Sequence, residues 1–290
     1  MSSQESVRDG RLQHHVYTVD AFEDGLALGQ HSVHSYREAF EQFFLRLPGE
    51  QKPVRLRSRY SIERTNHYQE LQKSLKRLSH RGTLRQTLII LGVNNDPLHP
   101  FEGRFDATMK FLSLFEKYTP GLLCIQTRSP LLVLALPVLK RLGRHCIVNF
   151  GIETPLEEVA RRYTPGLPRI EERLKAIRSL AQFDIPVRAQ VSPLLPYGEW
   201  RKDAEEFAQC LVENTCGVDV RSLSDGSAER EQELRKISVA TKLSQDRKFH
   251  WLRPDAATPL REALHHLAPE ILTPPNCEHL RDPQLKIFAA

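Results

Sequence analysis

From residue 84 onward the chain alternates between two kinds of apolar pattern. LRQTLIILGVNN (84–95), GLLCIQTRS (121–129), HCIVNFGIET (145–154), IPVRAQVSPLLPY (185–197) and GVDVRSLS (217–224) each carry a short apolar run and then small polar residues. Such runs predict strands buried on both faces of a parallel sheet. Between them, FEGRFDATMKFLSLFEKY (101–118), PLLVLALPVLKRLG (130–143), LEEVARRY, RIEERLKAIRSLAQFD and EWRKDAEEFAQCLVENT place apolar residues at three- and four-residue spacing, which predicts helices. Pro137 is expected to kink the second of these or remove one of its backbone bonds. Upstream the pattern is weaker. HHVYTVDAF reads as a strand or hairpin piece, HSYREAFEQFFLRL as a helix, PVRLRSRYSI as a strand and HYQELQKSLKRL as a helix. After residue 225 a mixed helical pattern with several prolines reads as an extension packed on what precedes it.

Regular strand–helix alternation with short loops predicts an α/β fold built on parallel pairing, either a doubly wound sheet or a full or partial (β/α) barrel. No GxGxxG and no GxxxxGK[ST] follows any strand. Dinucleotide and P-loop chemistry therefore lack their signatures, which puts the barrel ahead. The expected organisation is a flexible N-terminus over 1–15, a partial barrel over 16–225, and a C-terminal extension over 226–290.

Composition narrows the picture a little further. Of 290 residues, 40% are hydrophobic and 27% charged, so a normal core is available. No apolar run approaches the roughly 18 residues of a membrane span. The opening MSSQESVRDGRL has no apolar stretch of the signal-peptide kind, so the expected location is the cytoplasm, with no membrane contact. The +5 charge is mild, with basic residues gathered in KSLKRLSHRGTLR (73–85) and at Arg161–Arg162. A basic face of this size could meet phosphates, but the solvated side of a helix is the favoured reading. The five cysteines are scattered without a CxxC pair, and buried reduced thiols are expected of Cys124 and Cys146.

In parallel α/β architectures the site gathers at the carboxyl ends of the strands. Those ends carry Asn94, Asn95 and Asp96; Gln126, Thr127, Arg128 and Ser129; Asn149, Gly151, Glu153 and Thr154; and Gln190, Ser192 and Pro193. Amides, hydroxyls and small residues dominate, which suits a pocket that hydrogen-bonds a polar ligand better than one for strong acid–base work. No base–nucleophile pair is visible, and no catalytic residue is assigned. Asp96, Ser129 and Thr154 each precede a proline, where helix caps belong, and for each alone the cap is the favoured reading.

The same strand ends carry a resemblance. GVNNDPLHPFEGRFDATMKFLSLF, TRSPLLVLALPVLKRL and ETPLEEVARRYTPGLPRIEERLKAIRSLAQFDIPVRAQVSPLLP resemble, in order and at sensible spacing over about residues 84–200, the spore photoproduct lyase-like branch of the radical SAM superfamily. The resemblance implies a partial (β/α)6 TIM-like barrel, with S-adenosylmethionine (AdoMet) at the strand ends. The ligand candidates are then Asn95, Asp96, Thr127, Arg128, Ser129, Asn149, Glu153, Gln190 and Ser192. It also implies a [4Fe–4S] cluster on CxxxCxxC, radical chemistry, and substrates that are often nucleic acid.

Set against that family's cluster string, Gly29 to Arg37 (GQHSVHSYR) puts Gln30, His34 and Arg37 at the three cysteine positions. Glutamine is a poor iron ligand and arginine, a cation without an acceptor, is none. No cysteine precedes Cys124, so a conventional cluster is not expected. A mononuclear metal on His31 and His34 would need a third ligand that no pattern supplies, and a helix start with surface histidines is the favoured reading. The lysine usual before Ser-Pro in the family is Arg128 here, and the family's aromatic in TDPYQP is Leu98. The leading expectation is a degenerate radical-SAM-fold protein that acts as a ligand-binding, nucleic-acid-binding or regulatory partner of an active enzyme. The alternative is a spore photoproduct lyase-like enzyme using AdoMet, either by non-radical chemistry or with unconventional cluster ligands such as Cys124 and Cys146, in a process such as DNA repair.

Overall fold

A computed structural model describes strands within the first 65 residues and then residues 68–92, 96–98 and 104–273. In chain order the strands are β1 (His15–Val19), β2 (Phe44–Leu45), β3 (Val54–Arg55), β4 (Ile62–Thr65), β5 (Thr87–Leu91), β6 (Leu122–Thr127), β7 (Cys146–Gly151), β8 (Val187–Val191) and β9 (Gly217–Val220). The helices are α1 (Tyr68–His80), α2 (Arg104–Lys117), α3 (Leu136–Leu142), α4 (Glu157–Tyr163), α5 (Ile170–Ala181), α6 (Ala204–Asn214), α7 (Ala228–Leu234), α8 (Ser238–Gln245) and α9 (Thr258–Leu267).

Seven strands form one sheet in the order β4-β1-β5-β6-β7-β8-β9, and every neighbouring pair is parallel. Six of them, β1 and β5 to β9, follow chain order as a (β/α)6 unit does, and β4 adds a strand beyond β1. The architecture is the partial TIM-like barrel that the alternation predicts. β2 and β3 pair separately and antiparallel. Phe44 and Leu45 thus lie in a strand where the pattern HSYREAFEQFFLRL predicts helix. The aromatic and β-branched content of that short run suits either state, and pairing with Val54–Arg55 decides it.

Register divides the sheet into two unlike faces. Ile89, Ile125, Val148, Ala189 and Val218 lie on the outer face and join one apolar cluster with Leu71 and Leu75 of α1, Phe115 of α2 and Ile177 of α5. The inner face holds Ile90, Cys124 and Ile147 at one level, Gln126, Asn149 and Arg188 at the next, and Gly151, Gln190 and Asp219 above that. Both faces of β5 to β8 are buried. A two-residue period therefore hides a polar row inside strands that read as apolar runs.

Proline explains one departure from the simple pattern. The stretch 130–143 is a 3₁₀ turn over Pro130–Ala135 followed by α3, with Pro137 in the first turn of α3, where a missing N–H breaks no helical bond. The C-terminal segment packs on the barrel: α9 lies against α6, the turn Pro269–Leu272 lies against β9, and Arg261 Nη2 donates to the Val220 carbonyl at 2.6 Å. Trp251, fully buried, joins the same core. No helix among the described residues is long and apolar enough to cross a membrane.

Candidate functional site

The carboxyl ends of β5 and β6 are tied together by Asp96. Its Oδ1 accepts from the Leu98 N–H at 3.0 Å and from the Thr127 hydroxyl at 2.7 Å, and its Oδ2 accepts from the Arg128 N–H at 2.8 Å. Thr127 Oγ1 in turn accepts from the Ser129 N–H, and Ser129 Oγ accepts from Leu131 at the start of the 3₁₀ turn. Thr154 accepts from the Leu156 N–H and donates to the Pro196 carbonyl. These three pre-proline residues spend their side chains on organising loops.

Arg128 leaves β6 and crosses its neighbour at Gly151. A Cβ on Gly151 would sit 2.6 Å from Arg128 Cγ and 2.7 Å from Nε, so only glycine lets the side chain pass. Beyond it, Arg128 Nε pairs with Glu153 Oε1 and Nη2 donates to the Ser192 carbonyl at 2.9 Å. On the other oxygen, Glu153 accepts from Arg173 Nη1 at 2.7 Å, and the same Nη1 donates to the Gly151 carbonyl at 2.9 Å. All three charged groups are at most 1% exposed. Burial, the largest single influence, works to raise the Glu153 carboxyl. The charges of Arg128 and Arg173 and their hydrogen bonds together outweigh it and hold the group down to about 2, so Glu153 stays an anion.

Arg173 escapes a motif-based reading, though its position carries a signal. It falls between Ile170 and Ile177 on the buried face of α5. A cation at a core position of an otherwise apolar helical stripe calls for a buried anionic partner.

On the inner face, Gln126 and Asn149 are direct neighbours and Gln190 lies one strand on and one level up. They are 0%, 4% and 3% exposed. Among the described residues neither polar atom of the Gln126 amide has a hydrogen-bond partner, and neither do Asn149 Oδ1 and Gln190 Oε1. Buried amides left in this state are uncommon in folded proteins, and they mark a place where a polar ligand would complete the bonding.

Of the sequence candidates, the structure thus brings together Asp96, Thr127, Arg128, Ser129, Asn149, Glu153, Gln190 and Ser192 around the mouth of the sheet, and adds Gln126 and Arg173. Asn94, Asn95, Gln30, His31, His34 and Arg37 lie outside the described residues. Cys124 and Cys146 do not converge: the pairing Leu123 to Cys146 and Cys124 to Ile147 sends the first thiol inward and the second outward. Burial also pushes the Cys146 thiol up to about 12. Among the described residues no group of three or more His, Cys, Asp or Glu side chains could hold a metal ion.

No protein-family model and no curated protein matches the chain. Solved structures do. A single-substitution mutant of spore photoproduct lyase superposes over 89% of this chain and 82% of its own, with TM-score 0.50 and 12% identity. The chain has the fold of spore photoproduct lyase. A doubly substituted mutant of that enzyme, holding AdoMet and dinucleoside spore photoproduct, gives the same coverage, TM-score and identity. A third structure, a cysteine-to-serine mutant of spore photoproduct lyase, aligns with 64% of this chain and only 53% of its own, at TM-score 0.44. The radical SAM barrel of spore photoproduct lyase is thus the scaffold on which the amide row and the arginine–glutamate–arginine group are mounted.

Proposed function

We propose that this chain is a ligand-binding or regulatory protein on a radical SAM scaffold, degenerate at the cluster position, that takes an adenosyl compound against the inner face of its sheet. The observation that carries the reading is the buried row Gln126, Asn149 and Gln190 with unfilled hydrogen-bonding capacity. A fold neighbour that holds AdoMet supports the ligand class. The residues present fit an adenosyl group: three amides supply donors and acceptors, and Ile90, Cys124 and Ile147 supply an apolar surface beneath them. In a radical enzyme, AdoMet bound to a cluster would supply a 5′-deoxyadenosyl radical. Here the residues aligned with the cluster cysteines are Gln30, His34 and Arg37, a set that cannot ligate [4Fe–4S] in the usual way.

The test is anaerobic reconstitution with iron and sulfide, followed by metal analysis, the visible spectrum and a thermal-shift titration with AdoMet. The expected result is a colourless protein whose melting temperature rises with AdoMet. About four irons per chain with a charge-transfer band would restore the enzyme reading, in which AdoMet is used with unconventional cluster ligands.

A specific surface favours nucleic acid as a second ligand. Trp200, in the loop that follows β8, lies under the Arg201 guanidinium at 5.3 Å and against His250 at 5.9 Å. Phe249 beside it is 59% exposed, and Arg247, Lys248 and Arg253 flank it on the surface. Aromatic faces interleaved with cations suit a single strand, with bases stacked and phosphates paired. Fluorescence anisotropy with a labelled single strand should show affinity that falls steeply with salt, and affinity unchanged by salt or by Phe249→Ala would remove this reading.

A further inference from the structure

The amide row also specifies what kind of adenosyl compound it suits, an inference that rests on the ligand class proposed above. From β6 to β9, each charged side chain that the register places on the inner face is already committed. Arg128 is bound to Glu153 and the Ser192 carbonyl. Asp219 accepts from Arg221 Nε at 2.7 Å. Arg188 leans over Gly217, where a Cβ would come within 2.6 Å of its Cζ, and donates to the Thr273 carbonyl at 3.1 Å. Charge is balanced at the mouth as well, where the carboxylates of Glu153 and Asp96 face the guanidiniums of Arg128 and Arg173.

What is left uncommitted is neutral. Gln126 offers an acceptor and an NH₂ donor side by side, and Asn149 and Gln190 add two acceptor oxygens. An amide meets a heterocycle edge with one donor and one acceptor in a two-bond pairing. A free carboxylate would find three carbonyl oxygens and one amide donor, which repel more than they bind.

We propose that this inner face selects an uncharged adenine nucleoside, held by Gln126 with Asn149 and Gln190, over the same nucleoside carrying a charged amino-acid tail. Arg128, which in a carboxylate-binding pocket would face the ligand, here serves Glu153 instead. Replacing Gln126 by leucine removes the pairing edge without removing volume, and exchanging a bondless buried amide for an apolar group does not cost stability.

The deciding experiment is calorimetric titration of the full chain with 5′-methylthioadenosine and with AdoMet, repeated on Gln126→Leu. The expected result is that the neutral nucleoside binds at least as tightly as AdoMet. Gln126→Leu should weaken it about tenfold or more, the loss of roughly one good hydrogen-bond pair, with the melting temperature of the unliganded protein unchanged or raised. Tenfold tighter binding of AdoMet overturns the selectivity and leaves the ligand class standing, and so does Gln126→Leu binding as well as the parent. Binding of neither compound overturns the ligand class and the selectivity together. A lowered melting temperature for the unliganded variant would show the Gln126 amide to be bonded within the protein, and would overturn the assignment of that residue.

Discussion

Glu153→Gln is the substitution whose outcome follows most directly from the structure. It keeps the shape of the side chain and removes the one anion shared by Arg128 and Arg173, all three being buried. Two routes give its magnitude. The carboxyl is held near 2 in the folded chain against an ordinary 4.5; at 1.36 kcal/mol per unit, 2.5 units amount to about 3.4 kcal/mol at neutral pH. Independently, removing one partner of a buried ion pair costs about 3–5 kcal/mol. The agreement sets the expectation at about 3–5 kcal/mol, a large fraction of the roughly 5–15 kcal/mol that holds a domain together.

The sign of the pH dependence follows. A depressed carboxyl contributes fully above its unfolded value and is lost as pH falls from about 4.5 toward 2. At pH 3 only about 1.4 kcal/mol of the 3.4 remains. Urea unfolding followed by tryptophan fluorescence, with Trp251 buried, measures both proteins at pH 7 and pH 3. The gap between them should shrink by about 2 kcal/mol. A gap under about 1 kcal/mol at pH 7, or one that does not change with pH, would refute the account of Glu153 as the shared counter-ion.

Two glycine substitutions should differ in a telling way. Gly151→Ala places a Cβ against the middle of the Arg128 side chain, whereas Gly217→Ala meets the far end of Arg188. The first should cost about 2–3 kcal/mol and the second about 1 kcal/mol or less by thermal unfolding, because a guanidinium tip can swing aside where a Cγ cannot. Asp96→Ala leaves the Leu98 and Arg128 N–H groups without their carboxylate and should destabilise by at least about 2 kcal/mol in the same assay. Cys124 and Cys146 are at most 1% exposed, so mass mapping after a thiol reagent at pH 8 should find both unmodified until urea unfolds the protein. Rapid labelling of either in the native state would contradict its place in the sheet.

Much of the architecture is legible in the pattern of residues along the chain, and the reason is local. Strands such as TLIIL and LLCIQT are apolar throughout because both faces are covered, and each ends where a cap residue and a proline turn the chain. The interior of the site is less legible. Gln126 and Thr127 are adjacent in sequence and equally polar, yet register sends one to the inner face and the other to Asp96. Arg173 sits in RIEERLKAIRSL among five other charged residues. Only its phase against Ile170 and Ile177 separates it from the solvated ones. The Arg128–Gly151 crossing depends on which strands become neighbours, and nothing local encodes that.

The seal on the last strand has a consequence for how the chain is made. β9 leaves the ribosome with its outer edge bare, and Arg261, which donates to the Val220 carbonyl, follows 41 residues later. Thr273, whose carbonyl Arg188 reaches, comes later still. At roughly 5–20 residues per second, the newborn sheet spends several seconds as an open template for any passing strand. The finished protein is guarded at an edge where its nascent form is most exposed, so a chaperone that holds this protein should be found on chains paused between residues 221 and 273.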